Sequence, residues 1–477
     1  MTCRHLTRRQ FLKAIAGASG LFLAGGSRSA GRMAMSSTQS PIYRVDNCPT
    51  PTWLPADDLA ADPTARHAGV DALVELIGRV GLKFYRSEAQ RVDSGPDGII
   101  GADDVVLIKV NAQWECRGMT NTDVVRGVIQ RILDHPDGFT GEVVIVEQAQ
   151  QADYLTNPTN NNDDMPGHTQ SHLDVAALFA GAGHRVSIYR WYAIRYTVVD
   201  EYDASDDADG YVCMSGTDAL GYPLQFPMNY PKFTTDFGTQ ISLRHGVWDG
   251  SQYDEGRLKF INVPVLKHHS GFGYTGAVKH HIGVMSRFAN NGGDSSSWHQ
   301  NCYADWNGMP AGLLGRLIAL VRPADLHLID AIYVGLTGPG TGWNASHQNS
   351  LVASLDPVAL DYHCGKYILY PLNNNPASHP DNGNTFRSYM LATRDRLVEY
   401  GYDVHFEESG YRLVQADAAA ILGDLDGSGW VDLPDLQDMA AHWRGVPDVL
   451  HDLNGNGVVN VVDIMRLVQW LGRRIGG

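Results

Sequence analysis

Apolar residues recur along this chain at two spacings, and their alternation predicts its architecture. Continuous apolar runs at residues 104–111, 141–147, 258–265 and 326–332 have the length and β-branched content of strands buried on both faces. Residues 123–133, 313–320 and 358–369 instead place apolar side chains three and four apart, the spacing of one helix face. Strand–helix–strand units in this order predict an α/β fold, a mainly parallel sheet flanked by helices. Residues 157–168 and 200–218 are polar or acidic and are predicted as surface loops. A stretch at 93–104 looks faintly like a calcium loop, but Gly95 and Gly101 stand where oxygen ligands are needed, so it reads as a turn.

The pattern changes near the C-terminus. Residues 424–435 and 452–463 are near-copies of one twelve-residue loop, starting 28 residues apart. Oxygen side chains fall at loop positions 1, 3, 5, 9 and 12: Asp424, Asp426, Ser428, Asp432 and Asp435, then Asp452, Asn454, Asn456, Asn460 and Asp463. Gly429 and Gly457 supply the sharp turn, and Trp430 and Val458 offer backbone carbonyls. A hard, oxygen-seeking cation needs this arrangement, so Ca2+ is the expected ion. Val431 and Val459 are placed to pair the two loops. Each loop leads into a helical apolar pattern, Leu436, Met439, Ala440 and Trp443 after the first and Ile464, Leu467, Val468 and Leu471 after the second. A small all-α module over 422–477 is therefore predicted, with the four-carboxylate first loop the tighter site. The pair resembles dockerin type I repeats, which close the loop with Asp; that resemblance implies attachment to a cohesin-like partner. Positions 10 and 11, Leu433-Pro434 and Val461-Val462, depart from the small or hydroxylated pairs usual there.

At the other end, Arg8-Arg9 with Phe11, Leu12 and Lys13 precedes a modest Ala- and Gly-rich apolar run, and no acidic residue occurs before Asp46. Residues 1–35 read as a twin-arginine export signal, and residues 36–60, with four prolines, as a linker to a core spanning 61–421. The run is too short to span a bilayer as a mature helix, and no other segment approaches a span. A periplasmic, cell-surface or extracellular location is expected. Removing residues 1–32 takes six of the 37 basic and none of the 53 acidic residues, leaving 31 against 53. So acidic a chain argues against nucleic acid and anionic membrane as partners. Six scattered cysteines include no C-x-x-C, which excludes a locally encoded iron–sulfur cluster or zinc knuckle and leaves one or two disulfides open.

In a parallel sheet, binding groups gather beyond the carboxyl ends of strands. Polar residues fall there: Lys109 and Asn111 end one run, Glu147 the next, Lys267-His268-His269 follow the third, and Asp330 ends the fourth. Thr275, Gly276 and Lys279-His280-His281 come shortly after His269. Residues 106–111, 263–269, 275–279 and 355–361 together resemble the DUF362 family, with His280 where Asn is usual. The resemblance implies a shared site over roughly residues 65–420 but no settled reaction, and the missing cysteine clusters make an electron-transfer role less expected. The candidate catalytic residues are Lys109, Asn111, Lys267, His269, Lys279 and Asp330, with Glu147, Thr275 and Gly276 as ligand-binding residues. The lysines suit a small anion and, if buried, a proton-accepting or imine-forming amine. Their structural alternative is simple pairing of Lys109 or Lys267 with Glu147 or Asp330. A divalent transition metal is a second expectation, held by His269 with His280 or His281 and completed by Glu147 or Asp330. His168 and His172 are predicted to face solvent, and the glycine-rich turn at 338–342 is weak evidence for an anion cradle. No G-x-S-x-G or H-E-x-x-H occurs. The competing class is a non-catalytic scaffold or binding module recruited to a cohesin-bearing or polysaccharide-degrading assembly.

Overall fold

The computed structural model describes residues 39–48, 66–114, 117–157, 170–224, 228–289, 299–306, 308–338, 344–443, 451–453 and 458–473. The expected export signal, most of the expected linker, His168, residues 339–342 and the second loop's Asn454 and Asn456 lie outside them.

The main sheet has nine strands: β1 (Ser40–Asp46), β2 (Val105–Val110), β3 (Glu142–Glu147), β4 (Val186–Arg190), β5 (Leu258–Val263), β6 (Val265–Lys267), β7 (Leu326–Gly335), β8 (Ala345–Ser354) and β9 (Tyr411–Asp417). Their order is β9-β1-β8-β7-β5-β2-β3-β4, with β6 paired to β7. Only β8 runs against the rest. The expected α/β class and mainly parallel sheet are therefore present. Alternation along β2 divides the core into two layers. Val105 and Leu107 join Val144, Val146, Leu258 and Phe260 on one face, and Val106, Ile108 and Val110 join Val143, Ile145, Ile261 and Val263 on the other. Helices α1 (Ala68–Arg79), α2 (Thr122–Leu133) and α3 (His172–Gly181) cover the second face; α4 (Leu313–Leu320), α5 (Pro357–Cys364) and α6 (Thr385–Glu399) cover the first.

Several expectations change. Residues 40–46, read as linker, form β1 between β9 and β8, with Ile42 and Val45 fully buried. The prolines drew that reading, but Pro41 stands at the strand's start, where a missing N–H is tolerated. Residues 200–218 are only partly loop. Gly210–Cys213 lies in a second, six-stranded sheet with Val198–Val199, Asn229–Thr234, Gln240–Ser242, Gly246–Trp248 and Tyr253–Asp254. These strands are too short, and too often broken by Gly and Asp, for periodicity to find them. Pro264 splits the expected third strand into β5 and β6. The expected 358–369 helix becomes α5 followed by a π turn at Gly365–Leu369. His172 is buried in α3 instead of facing solvent, and burial lowers its imidazole to about 3. Cys48, Cys302 and Cys364 are buried, and Cys213 is half-buried.

Beyond β9, helix α7 (Ala418–Gly423) packs on α1 and leads into α8 (Leu433–Ala441) and α9 (Val461–Trp470). Val431, Met439, Val459 and Leu467 form a small buried cluster between them. The rest of the predicted apolar faces is less enclosed: Trp443, Val468 and Leu471 are exposed. Arg79 of α1 binds Asp424 at 2.5 Å, and Arg473 binds Asp417 at 2.8 Å, so both ends of this region are tied to the core. Among the described residues, no helix is long and apolar enough to cross a membrane.

Candidate ligand-binding site

The chain moves outward from β2 through α2 to β3 and β4 on one side, and from β5 through α4 to β7 on the other. The crevice where these two directions part lies beyond the carboxyl ends of β2 and β5, the usual binding position in such sheets. A cavity of about 300 Å3 opens there.

Its floor is a chain of buried polar groups. Lys109 Nζ donates to Glu147 Oε2 at 2.7 Å, to the Val110 carbonyl at 3.4 Å, and lies 3.0 Å from His280 Nε2. Asn262 settles the histidine's proton. Its Nδ2 donates to the Ala277 carbonyl at 2.9 Å, so its Oδ1 must accept from His280 Nδ1 at 2.6 Å. His280 therefore carries hydrogen on Nδ1 and presents a lone pair to Lys109. Burial pushes His280 well below its usual range, which agrees with a neutral ring. Burial also lowers the Lys109 ammonium and raises the Glu147 carboxyl, and the bond between them opposes both shifts. A Cβ on Gly283 would lie 2.5 Å from Lys109 Nζ, so glycine lets the wall close on this pair.

The opposite wall is the segment after β6. Its anchor is Asp361 on α5, which accepts from Ala277 N at 2.7 Å, Val278 N at 2.9 Å and the Tyr274 hydroxyl at 3.0 Å. Burial raises this carboxyl to about 7 against the pull of those donors. The anchor also explains Gly276, where a Cβ would meet Asp361 Oδ1 at 2.4 Å and the Tyr274 hydroxyl at 2.3 Å. Held in this way, the segment turns Thr275 and Lys279 toward the cavity beside Lys267. Lys267 Nζ donates to the Gly118 carbonyl. Lys279 Nζ lies 4.5 Å from the centre of the Phe272 ring. Burial, reinforced by Lys279, lowers Lys267 to about 7; burial lowers Lys279 to about 8. His269 Nδ1 accepts from the Gly271 and Phe272 amides at 3.1 and 3.3 Å, which leaves its hydrogen on Nε2. Burial, then the charges of Lys279 and its neighbours, hold His269 neutral.

The fold thus brings Lys109, Asn111, Glu147, Lys267, His269, Thr275 and Lys279 around one cavity, although they come from four separate stretches of sequence. Asn111 also holds the strand ends together, its Oδ1 accepting from Val265 N at 2.9 Å. Asp330 is not among the lining residues. It is fully buried within β7, accepting from Asn121 N at 2.8 Å and Ile332 N at 3.1 Å, so it fastens the start of α2 to the sheet. Gly276 lies behind the wall for the steric reason above. Sequence reasoning missed Gln113, Trp114, Gln150, Arg287 and His299, which also line the cavity. None ends a predicted strand, so no positional signal marked them. Asp361 had a signal: a carboxylate amid Val358, Leu360 and Tyr362, one turn past the Asp356 N-cap, shares the apolar side of its helix, and it is fully buried.

Among the described residues, two groups bring three potential metal ligands together, and both lie outside the core: Asp424 with Asp426 and Asp435, and Asp438 with His442 and His451. Two ring nitrogens of the core histidines have protein neighbours. His280 Nε2 faces Lys109, and His281 Nδ1 lies 3.0 Å from the Ala277 carbonyl, away from the cavity. Of the first loop's predicted donors, the three carboxylates named form a hard oxygen set that fits calcium, and Gly429 adopts the required positive φ of 90°. Backbone amides take up some of that charge: Asp435 accepts from Leu425 N at 2.7 Å and Asp432 N at 2.7 Å. Asp463 likewise accepts from Asn460 N at 2.8 Å at the start of α9. His442 and His451 stack at 3.6 Å with planes 19° apart. Their in-plane lone pairs run nearly parallel and do not converge, so one ring would have to rotate before both gripped an ion.

No curated protein and no solved structure matches the chain. Residues 258–366 match the model of the family described as Domain of unknown function (DUF362). That segment contributes Lys267, His269, Thr275, Lys279 and His280 to the cavity and Asp361 to its anchor, so the core's likeness to DUF362 covers the very wall that carries the unspent lysine.

Proposed function

We propose that the core binds a small organic anion in this cavity, and that a calcium-loaded C-terminal module tethers the exported protein to an extracytoplasmic, cohesin-like partner. One observation carries the first part. Thr275 Oγ1 and Arg287 Nε are buried without a hydrogen-bond partner among the described residues, and both residues line the cavity beside Lys279. Thr275 and Lys279 are more than nine-tenths buried. Buried donors left unmade cost free energy that a bound anion recovers through charge-assisted bonds. The lone lining carboxylate, Glu147, is already taken by Lys109. Lys267, Lys279 and Arg287 then hold the anion, with Asn111 and Thr275 orienting it.

Calcium in the first loop would be held by Asp424, Asp426 and Asp435, with Ser428, Asp432 and the Trp430 carbonyl placed by spacing. It supplies charge neutralisation and a rigid entry to α8. The exposed apolar side chains at the helix starts, Leu433 at 62 %, Val461 at 54 % and Met465 at 58 %, support a protein partner on that side. Titration calorimetry of the full chain with lactate and with inorganic phosphate tests the core reading. Binding of either, lost in Lys267→Met while the fold persists, supports it. Equal affinity in wild type and variant removes the assignment and favours a scaffold.

A further inference from the structure

The three cavity lysines differ in what their amines touch, and the difference assigns them unequal work. Lys109 spends its donors on Glu147, His280 and the Val110 carbonyl. Lys267 is tethered to the Gly118 carbonyl. Lys279 has no hydrogen-bond acceptor among the described residues; it meets only the Phe272 ring face at 4.5 Å, and it is 7 % exposed. As an ammonium it has only that ring face and the cavity to meet; as a neutral amine it can offer the cavity's ligand a lone pair.

The surroundings favour the amine. Burial lowers Lys279 to about 8 against the opposing pull of Cys302, a thiol whose own ionisation burial pushes up to about 12, and the nearby His269 is held neutral. A lysine desolvated in a pocket and beside a second cation is a recognised way to free an amine for attack on a carbonyl. The amine is also held in place. Its turn hangs from Asp361 by the three bonds at 2.7, 2.9 and 3.0 Å described above. Arg287, which lines the same cavity, supplies a planar guanidinium that suits a carboxylate.

We propose that Lys279 is an imine-forming nucleophile and that the cavity's ligand is a small 2-oxocarboxylate, its carboxylate on Arg287 and its keto group at Lys279. This rests on the anion reading of the cavity and gives that anion a second functional group. In the step, the Lys279 lone pair forms the C–N bond and the carbonyl π pair moves to oxygen. Proton transfer from nitrogen to that oxygen gives a carbinolamine. The Lys267 ammonium then protonates the hydroxyl, the C–O bond breaks, and water leaves. The products are one iminium, one water and a neutral Lys267, with no oxidant or reductant consumed.

The test is reductive trapping on the full chain. Pyruvate and cyanoborohydride are added, the hydride reduces any iminium to a secondary amine, and peptide mass mapping locates the adduct. Lactate, which has the carboxylate but no carbonyl, is titrated in parallel by calorimetry. Expected is one adduct on the peptide containing Lys279, suppressed by lactate, with trapping slowed at least tenfold in Lys279→Arg and Lys279→Met. Mapping on the wild-type chain decides the site even if both variants fail to fold. Lactate binding with no adduct at Lys279, or with adducts scattered over surface lysines, overturns the nucleophile and leaves the anion reading intact. Absence of both lactate binding and adduct overturns the two together.

Discussion

The core cavity and the first C-terminal loop are opposite solutions to one electrostatic problem. In the cavity four cations, Lys109, Lys267, Lys279 and Arg287, face the single carboxylate Glu147. In the loop four carboxylates within twelve residues face the single cation Arg79. The cavity is buried, so its excess charge is relieved by pKa depression, and Lys267 and Lys279 move toward neutrality. Much of the loop meets water and backbone amides, which solvate its carboxylates. On the function proposed above, each region takes an ion of the opposite sign, an anion in the first and a cation in the second. The difference teaches that, on this reading, the cavity selects its partner by size and shape, whereas the loop asks only for a hard, divalent one.

The largest effect is expected where the cavity's one compensated pair is broken. Glu147→Gln leaves Lys109 buried at 0 % exposure with its counter-charge gone, and loss of one member of such a pair costs roughly 3–5 kcal/mol. Urea unfolding should register this. The double variant Lys109→Met with Glu147→Leu should recover most of the loss, because two apolar side chains leave no charge behind. A double variant as unstable as the single one would mean that the pair organises the floor through His280 and Asn262 and not merely by charge.

Next in size is the loss of anion affinity in Lys267→Met. Charge-assisted hydrogen bonds contribute about 1.5–3 kcal/mol, or roughly tenfold to a hundredfold in affinity. Stability should hold or rise, since the methionine removes a charge that has no carboxylate of its own. The pH dependence follows with a definite sign. Lys267 and Lys279 titrate at about 7 and 8 in the folded chain and near 10.5 when unfolded, so the unfolded state binds more protons between those limits. Their contribution to stability therefore rises with pH from about 7 to about 10.5 and is flat below. Anion affinity should move the other way, falling as pH climbs past 8, with proton uptake on binding near that pH. Calorimetry in two buffers of different ionisation enthalpy measures the uptake; proton release instead would mean that the ligand does not meet these lysines.

How much of this was legible in the sequence differs between the two regions for the same physical reason. The loop's carboxylates are local in sequence, so spacing alone put Asp424, Asp426 and Asp435 together, as the structure does. The cavity joins residues from both sides of the sheet's switch point. Strand-end logic found Lys109, Glu147 and Lys267 because a parallel sheet aligns its carboxyl ends. The same logic mistook Asp330, which sits mid-strand once β7 is seen to run on to Gly335. It was blind to Arg287, which no strand end presents, and to the short strands of the second sheet. The Pro-rich stretch hid β1 because turn residues outweighed the alternation of Ile42, Tyr43 and Val45.

The smallest effect tests whether the two regions are coupled. Arg79 spends one nitrogen on Asp424 Oδ2 at 2.5 Å and another on the Asp424 carbonyl at 2.9 Å, so the residue proposed as the loop's first calcium ligand is also its attachment to α1. The guanidinium competes with a cation for the same carboxylate, and it also fixes the loop against the core. Arg79→Ala removes both effects. If competition dominates, calcium affinity of the full chain rises by a few-fold, about 0.5–1 kcal/mol for a partly exposed pair, while protease sensitivity near residue 423 increases. If docking dominates, calcium affinity falls, because the loop must then be ordered by the ion alone. Titration with a calcium-selective dye, read beside limited proteolysis, separates the two. Unchanged affinity with unchanged proteolysis would show that the tail is held by the packing of α7 on α1, and that its charge and the cavity's answer to their ligands independently.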